Sequence, residues 1–277
     1  MTDKQPVVFT FHLVREQCEQ GSADAWRAFL DFYSPLFLHL LEIDGFGDTP
    51  VWERTLDALV DDNYQRFRAT SRQSEREFLI DVRALLVDQA LAEARKSAGA
   101  EASGGGGAPV LNLGRVAQLV EGLPLLHQEI LWFKLRGYTD ATIERILRMA
   151  PGVAHAALDR LMPDFAAARD LTSDRCPWPG DWLALLHQAR ANKKDDCPPL
   201  HQLMRIQDGQ VSWYDKEPVE KRVASCLHCL ESWTGLREVG YWRRAAPAVS
   251  PEQIEQLRRR IPTVEPEKRS LLKRVFG

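Results

Sequence analysis

The chain has 277 residues, of which 44% are hydrophobic, and its formal net charge is −3 at pH 7. This length can hold two or three domains, and no run of about 18 apolar residues predicts a membrane span. The first residues carry no basic-then-apolar secretory signal, so we expect a cytoplasmic protein. Five cysteines, an odd number, argue against a disulfide framework and favour metal binding.

Charge is distributed unevenly along the chain. Residues 1–100 carry 11 Lys and Arg against 17 Asp and Glu, residues 110–172 carry 7 against 7, and residues 173–277 carry 18 against 14. The N-terminal part is therefore acidic and the C-terminal part basic. Dedicated DNA-binding proteins usually contain a strongly basic domain that neutralises phosphates. This chain has no such domain, which argues against strong DNA binding.

Apolar residues in the N-terminal part recur at three- and four-residue spacing, which predicts amphipathic helices. Ser22 precedes an acidic first turn and predicts a helix start. Further helices are predicted over Val51 to Ala69 and over Glu75 to Lys96. Together these patterns predict an all-α fold that begins with a three-helix bundle over residues 1–100.

A run of four glycines lies in the middle of residues 101–109. Glycine has no side chain to bury and keeps full backbone freedom, so this stretch predicts a flexible linker between separately folded units. The residues after it divide by composition into four further segments: a second helical domain (110–172), a connector (173–196), a small cysteine-bearing helical domain (197–245) and a basic tail (246–277).

The second helical domain contains strong stop and start signals. Gly137 predicts a helix end and Thr139 predicts the cap of the next helix. The dipeptide Pro151-Gly152 then separates that helix from another over Val153 to Ala168. A helix, a short turn that contains glycine and a second helix are the spacing of a helix-turn-helix domain.

Three of the five cysteines lie late in the sequence. Two of them, Cys226 and Cys229, are separated by two residues, a gap that lets both thiolates reach one metal from a single turn. Cys197 and His201 can complete a tetrahedron, so these four residues are the predicted ligands of a structural zinc ion. The alternative is that the late cysteines are reduced, partly buried thiols without a metal.

The basic tail contains Arg258–Arg260 and a second basic set between Lys268 and Arg274. A solvated amphipathic helix is one interpretation, and docking onto the acidic N-terminal domain is the other. No catalytic constellation is evident, because the seven histidines occur singly and the glycine run has no phosphate-binding lysine. We therefore expect no enzymatic activity.

The N-terminal domain resembles a known family. Residues 23–36 resemble the opening helix of extracytoplasmic-function sigma factors, the subunits that direct RNA polymerase to promoters. Residues 59–64 resemble that family's polymerase-docking helix. The resemblance implies that Asp61, Asp62 and Tyr64 bind core RNA polymerase, where acidic groups would face basic helices.

The resemblance extends to the DNA-reading elements of sigma factors. Residues 78–96 are similar to the helix that reads the promoter −10 element, which implies DNA contacts from Arg83, Arg95 and Lys96. Residues 123–139 resemble the start of the domain that reads the −35 element, and the helix after it would contact promoter DNA through His155 and Arg160. That helix is poor in hydrogen-bond donors, since it also carries Ala154, Ala156, Ala157 and Asp159.

The cysteine-bearing domain resembles zinc-binding anti-sigma domains at residues 208–211 and at its paired cysteines. Arg222 stands where that family's motif has a histidine, so Cys197 or His201 would supply the missing ligand. The whole resemblance implies a sigma-like transcription regulator with a fused anti-sigma-like tail, which binds core polymerase and promoter DNA but no membrane. The alternative is a sigma mimic or adaptor that binds only protein partners.

Overall fold

The structure, a computed structural model, describes residues 10–101, 117, 120, 122–169 and 179–262. The predicted all-α class is confirmed, because this part of the chain contains twelve helices and no strand. The helices are α1 (Phe11–Glu19), α2 (Ala23–Ile43), α3 (Val51–Ala69), α4 (Glu75–Glu101), α5 (Leu125–Leu135), α6 (Asp140–Leu147), α7 (Val153–Arg169), α8 (Pro179–Ala191), α9 (Leu200–Gln207), α10 (Trp213–Ala224), α11 (Leu227–Ala245) and α12 (Pro251–Arg259).

Two sequence predictions fall outside the described residues: the glycine run and the basic set between Lys268 and Arg274. Within the described residues, no helix combines the length and the apolar character that a membrane crossing requires.

Local capping signals explain where the helices begin and end. Ser22 Oγ accepts a hydrogen bond from the Ala25 amide at 3.4 Å, and Thr139 Oγ1 accepts one from the Thr142 amide at 3.3 Å. Each side chain thereby satisfies an amide that has no partner inside its own helix. Gly137 follows α5 with a φ of 93°, a left-handed conformation that ends the helix.

Helix α3 is broken inside its predicted bounds. The backbone at Asp61 is extended, and Asp62, Asn63 and Tyr64 follow with positive φ angles of 48°, 53° and 62°. Left-handed backbone costs an ordinary residue about 1–2 kcal/mol, so this segment is strained. The break leaves Asp61, Asp62 and Asn63 exposed, whereas the side chain of Tyr64 is buried.

Helix α11 occupies the centre of the fold, where it packs against α2, α4, α5, α6, α8, α9 and α10. It approaches α4 closely at Gly235, where an added Cβ atom would lie only 3.2 Å from both Ile80 Cδ1 and Arg83 Nη1. Trp233 and Leu236 of the same helix are fully buried. The hydrophobic core is therefore continuous across the N-terminal, helix-turn-helix and cysteine-bearing segments, whereas the glycine run favoured separately packed units.

The C-terminal strap, residues 250–262, lies on the N-terminal unit, which has four helices (α1 to α4) where the sequence predicted three. Helix α12 packs against α2 and buries Ile254 and Leu257. Arg260 Nη2 forms an ion pair with Asp57 Oδ2 of α3 at 2.7 Å. Tyr64 donates its hydroxyl hydrogen to the carbonyl oxygen of Pro262. The strap thus holds α3 before the break, at Asp57, and at the last residue of the break, Tyr64.

Candidate functional site

Three cysteines form one compact group at the start of α11. Cys226 is the residue that precedes the helix, Cys229 lies in its first turn, and Cys197 comes from the loop before α9. The three sulfur atoms all lie within 4.8 Å of one another. Cys226 and Cys229 are buried and Cys197 is half-buried, so this group can bind a metal ion.

The spacing of the Cys197 and Cys226 sulfur atoms fits a tetrahedral thiolate site. A zinc–sulfur bond of about 2.3 Å places two thiolates of a regular tetrahedron about 3.8 Å apart. The distance between the sulfur atoms of Cys197 and Cys226 is 3.8 Å. Three thiolates leave one position of the tetrahedron for a further ligand.

Polar groups around Cys197 favour its thiolate, the form that binds metals. Burial acts to raise the pKa of Cys197, but hydrogen bonds from the Lys194 amide, from the two other thiols and from Arg222 outweigh it and lower that pKa. The Arg222 guanidinium lies 3.6 Å from the sulfur and also pairs with Asp196 at 2.6 Å. Arg222, at the position of the expected histidine, therefore supplies positive charge beside the cluster.

Neither nearby histidine belongs to the sulfur group. His201, a predicted ligand, is exposed and lines a separate cleft with Met204 and Asp208, so the structure does not bring it to the cysteines. His201 lies in the first turn of α9, outside the cysteine group. His228 donates from Nδ1 to the carbonyl oxygen of Arg190 at 3.1 Å, and burial lowers its pKa.

A buried ion-pair network lies deeper along α11. Arg136 forms a two-pronged ion pair with Asp44 at 2.8 and 2.7 Å and also pairs with Glu238. Arg83 pairs with Glu238 at 2.7 Å and with Glu231. All five side chains are at most 3% exposed. The network therefore joins α2, α4, the end of α5 and α11 through charges that water does not reach.

Glu238 is the centre of this network. Its second oxygen accepts a hydrogen bond from the Tyr138 hydroxyl at 2.7 Å, and Tyr138 in turn accepts one from Trp242 Nε1 at 2.9 Å. Burial alone would raise the pKa of Glu238, but Arg136 and Arg83 beside it lower that pKa overall. Glu238 is thus held as a carboxylate inside the core.

The three predicted polymerase-binding residues lie in two different environments. Asp61 and Asp62 are exposed at the break in α3. Tyr64 is only 6% exposed, stacks on Trp26 and bonds to Pro262. The prediction for Tyr64 requires correction in this arrangement, because its ring faces the core and its hydroxyl is already paired.

The predicted −10 DNA contacts of α4 also lie in two different environments. Arg95 and Lys96 are exposed near the end of the helix. Arg83 is 2% exposed and both of its pairs are with glutamates of α11, so the prediction that it contacts DNA requires correction in this arrangement. Sequence periodicity could not reveal this, since α11 lies almost 150 residues away along the chain.

The helix-turn-helix segment contains α6 and α7 with a turn at Pro151-Gly152 between them, and the described surface of α7 carries few cations. His155 and Arg160 are exposed on α7. His155 lies 3.1 Å from an oxygen of Asp140 and 3.5 Å from one of Asp159, so acidic groups flank it on two sides. Glu144 accepts a hydrogen bond from the Ala154 amide at 3.1 Å and thereby caps the start of α7.

Sequence reasoning missed the ion-pair network. One signal was present, because Glu231 and Glu238 stand among the tryptophans of α11, where a wholly apolar face would be expected. An acidic residue inside an apolar stripe requires a buried partner. The sequence could not identify Arg83 and Arg136 as those partners.

Comparisons with protein-family models, with curated proteins and with solved structures found no match to this chain. The fold and the site define an all-helical protein. It has a cysteine cluster that can bind a metal, and its core contains a network of buried ion pairs.

Proposed function

We propose that the chain is a sigma-factor-like regulator of transcription initiation, held in a closed arrangement by its own C-terminal segment. One observation carries this proposal: α11 packs along α4, the helix that the resemblance assigns to promoter DNA, and its glutamates pair with Arg83. In this closed arrangement that face of α4 is not available to nucleic acid.

The C-terminal strap supports the same proposal at the polymerase face. Asp61 and Asp62 are exposed and can reach a basic surface. Asp57, four residues before Asp61 on α3, forms an ion pair with Arg260 of the strap. Tyr64 donates a hydrogen bond to the same strap. A large partner that docks on this part of α3 has to displace the strap first. The strap is therefore a competitor for polymerase.

We further propose that the ion bound by the cysteine cluster is zinc, which suits three thiolates and a tetrahedral geometry. Cys197, Cys226 and Cys229 would hold it, and a bound ion supplies a structural cross-link without redox chemistry. Because Cys226 and Cys229 begin α11, the three cysteines tie the loop before α9 to the start of the helix that carries Glu231 and Glu238. This link would keep the network glutamates in position.

The second candidate function is an adaptor that binds polymerase or another protein partner but not promoter DNA. The surface of α7 favours it: the exposed His155 is flanked by Asp140 and Asp159, which repel phosphate. Among the α7 residues whose side chains the structure describes, 153–161, only Arg160 carries a full positive charge. With this composition, we expect α7 to bind DNA at most weakly and without sequence preference.

The test uses the full chain and core RNA polymerase in size-exclusion chromatography, followed by a gel shift with promoter DNA. Arg260→Glu should increase co-elution with polymerase, because it removes the ion pair that holds the strap to Asp57. Arg259→Glu is the matched control, since Arg259 is 74% exposed and, within the part of the chain that the structure describes, pairs only with Glu255 of its own helix.

The double substitution Asp61→Arg and Asp62→Arg in the Arg260→Glu background should remove the co-elution, whereas Asp31→Arg, at an exposed acid on α2, should retain it. If no variant binds polymerase, the sigma-like function is rejected, and so is an adaptor that acts on polymerase. Binding of polymerase without a promoter shift would favour the adaptor.

A further inference from the structure

A cleft rich in arginine lies where the segments of the chain meet, and its lining shares no residue with the cysteine cluster or the buried ion-pair network. It has a volume of about 170 Å³ and lies between α4, the end of α6, the end of α9 and the second half of α11. Its lining includes five arginines: Arg76, Arg145, Arg148, Arg237 and Arg244.

Acidic side chains balance only part of this charge. Arg76 pairs with Asp208 at 3.0 Å, and Arg237 Nε lies 2.8 Å from Glu129 Oε2. The other three arginines have no carboxylate oxygen within 4.0 Å among the described residues. Three uncompensated positive charges around one small cleft repel one another, and a bound anion would relieve that repulsion. The three are Arg145, Arg148 and Arg244.

The cleft is partly preorganised. Arg76 is held by its pair with Asp208, by a hydrogen bond from Nη2 to Gln207 Oε1 at 2.8 Å and by another to the Leu236 carbonyl at 3.3 Å. Its Nε is buried and has no hydrogen-bond partner. A Cβ atom at Gly240 would lie 3.6 Å from this Nε, an ordinary contact distance. Arg76 is thus fixed across α11 before any ligand arrives.

We propose that this cleft binds a small phosphate-bearing anion, of the size of inorganic phosphate or diphosphate. Arginine forks match the oxygens of phosphate in a two-pronged geometry, and several arginines favour an anion of more than one charge over a simple carboxylate. The volume decides the size of the ligand. Pockets for whole drug-sized molecules measure about 300–1,000 Å³, so 170 Å³ admits the phosphate part of a molecule and leaves any remainder in solvent.

The position of the cleft gives such binding a structural consequence. Arg76 belongs to the N-terminal unit, Arg145 and Arg148 to the helix-turn-helix unit, and Arg237 and Arg244 to α11. An anion that bonds to arginines from all three stabilises the arrangement in which the units are packed together. This inference is independent of the transcription proposal, since it concerns only the packing that the structure contains.

The test is isothermal titration calorimetry on the full chain with sodium pyrophosphate, inorganic phosphate and a nucleoside diphosphate, each at low and at physiological salt. We expect pyrophosphate to bind more tightly than phosphate. The double variant Arg148→Gln and Arg244→Gln should weaken pyrophosphate binding at least about tenfold, because hydrogen bonds to charged groups contribute about 1.5–3 kcal/mol each and 1.4 kcal/mol is a factor of ten.

The control is Arg66→Gln with Arg259→Gln, two exposed arginines outside the cleft. Circular dichroism checks that both double variants stay folded, which their exposed positions favour. Absence of pyrophosphate binding, or equal weakening by the control, would overturn the proposal. Binding of a DNA duplex that depends on Arg148 and Arg244, without any binding of pyrophosphate, would also overturn it in favour of a nucleic-acid surface.

Discussion

The substitution Glu238→Ala tests the central claim that buried charges hold α11 against the other units. Glu238 is 1% exposed and accepts hydrogen bonds from Arg83, Arg136 and Tyr138. Breaking a buried ion pair costs about 3–5 kcal/mol, because it leaves a charge without its partner in a medium that solvates it poorly. Each arginine keeps a second carboxylate after this substitution, so we expect the free energy of unfolding to fall by about 3 kcal/mol, at the lower end of that range. That is a large share of a total stability of about 5–15 kcal/mol.

The assay is urea unfolding followed by circular dichroism, with the free energy of unfolding extrapolated to water. The control is Glu217→Ala, which removes the exposed pair of Glu217 with Lys221 and should change the free energy by less than about 1 kcal/mol. Glu238→Gln should fall between the two, since it keeps an acceptor oxygen but removes the charge. A loss below about 1 kcal/mol for Glu238→Ala would refute the reasoning.

The same comparison has a defined dependence on pH. The pKa of Glu238 is lowered in the folded protein, so its contribution to stability is present above the unfolded pKa of about 4.3 and is lost as the pH falls through the folded value. The difference in free energy of unfolding between the wild type and Glu238→Gln should therefore shrink below about pH 4. A difference that grows in acid would contradict this sign.

Two further predictions concern the metal and the packing of α11. Protein purified without chelator should contain about one zinc ion per chain. Cys226→Ser should lower that zinc content and expose residues 197–245 to protease. Wild-type protein that contains no zinc would exclude the proposed ion. Gly235→Val should destabilise the fold by about 1–3 kcal/mol, because its side chain meets Ile80 and Arg83. Gly240→Ala, where a Cβ atom has ordinary contact distances, should not destabilise it, and an equal loss from both would argue against the close approach at Gly235.

The sequence by itself determined the features that depend on near neighbours. The caps at Ser22 and Thr139, the bounds of α3 and the turn at Gly137 all follow from hydrogen bonds and backbone preferences within a few residues. The pairing of Cys226 with Cys229 was predictable for the same reason, since a two-residue gap places both sulfur atoms at the start of one helix.

Only the tertiary structure decided which residues face each other across the chain. Arg83 and Tyr64 were assigned to external partners from the resemblance of their helices to sigma factors, yet α11 and the strap cover them. His201 was assigned to the metal from its nearness in sequence to Cys197, but in the fold it lines a separate cleft. Helical periodicity reports which side of a helix is buried and contains no information on the distant segment that buries it. The partner of a buried charge is fixed by chain packing over about a hundred residues or more, as in the pairs that Glu238 makes with Arg136 and Arg83.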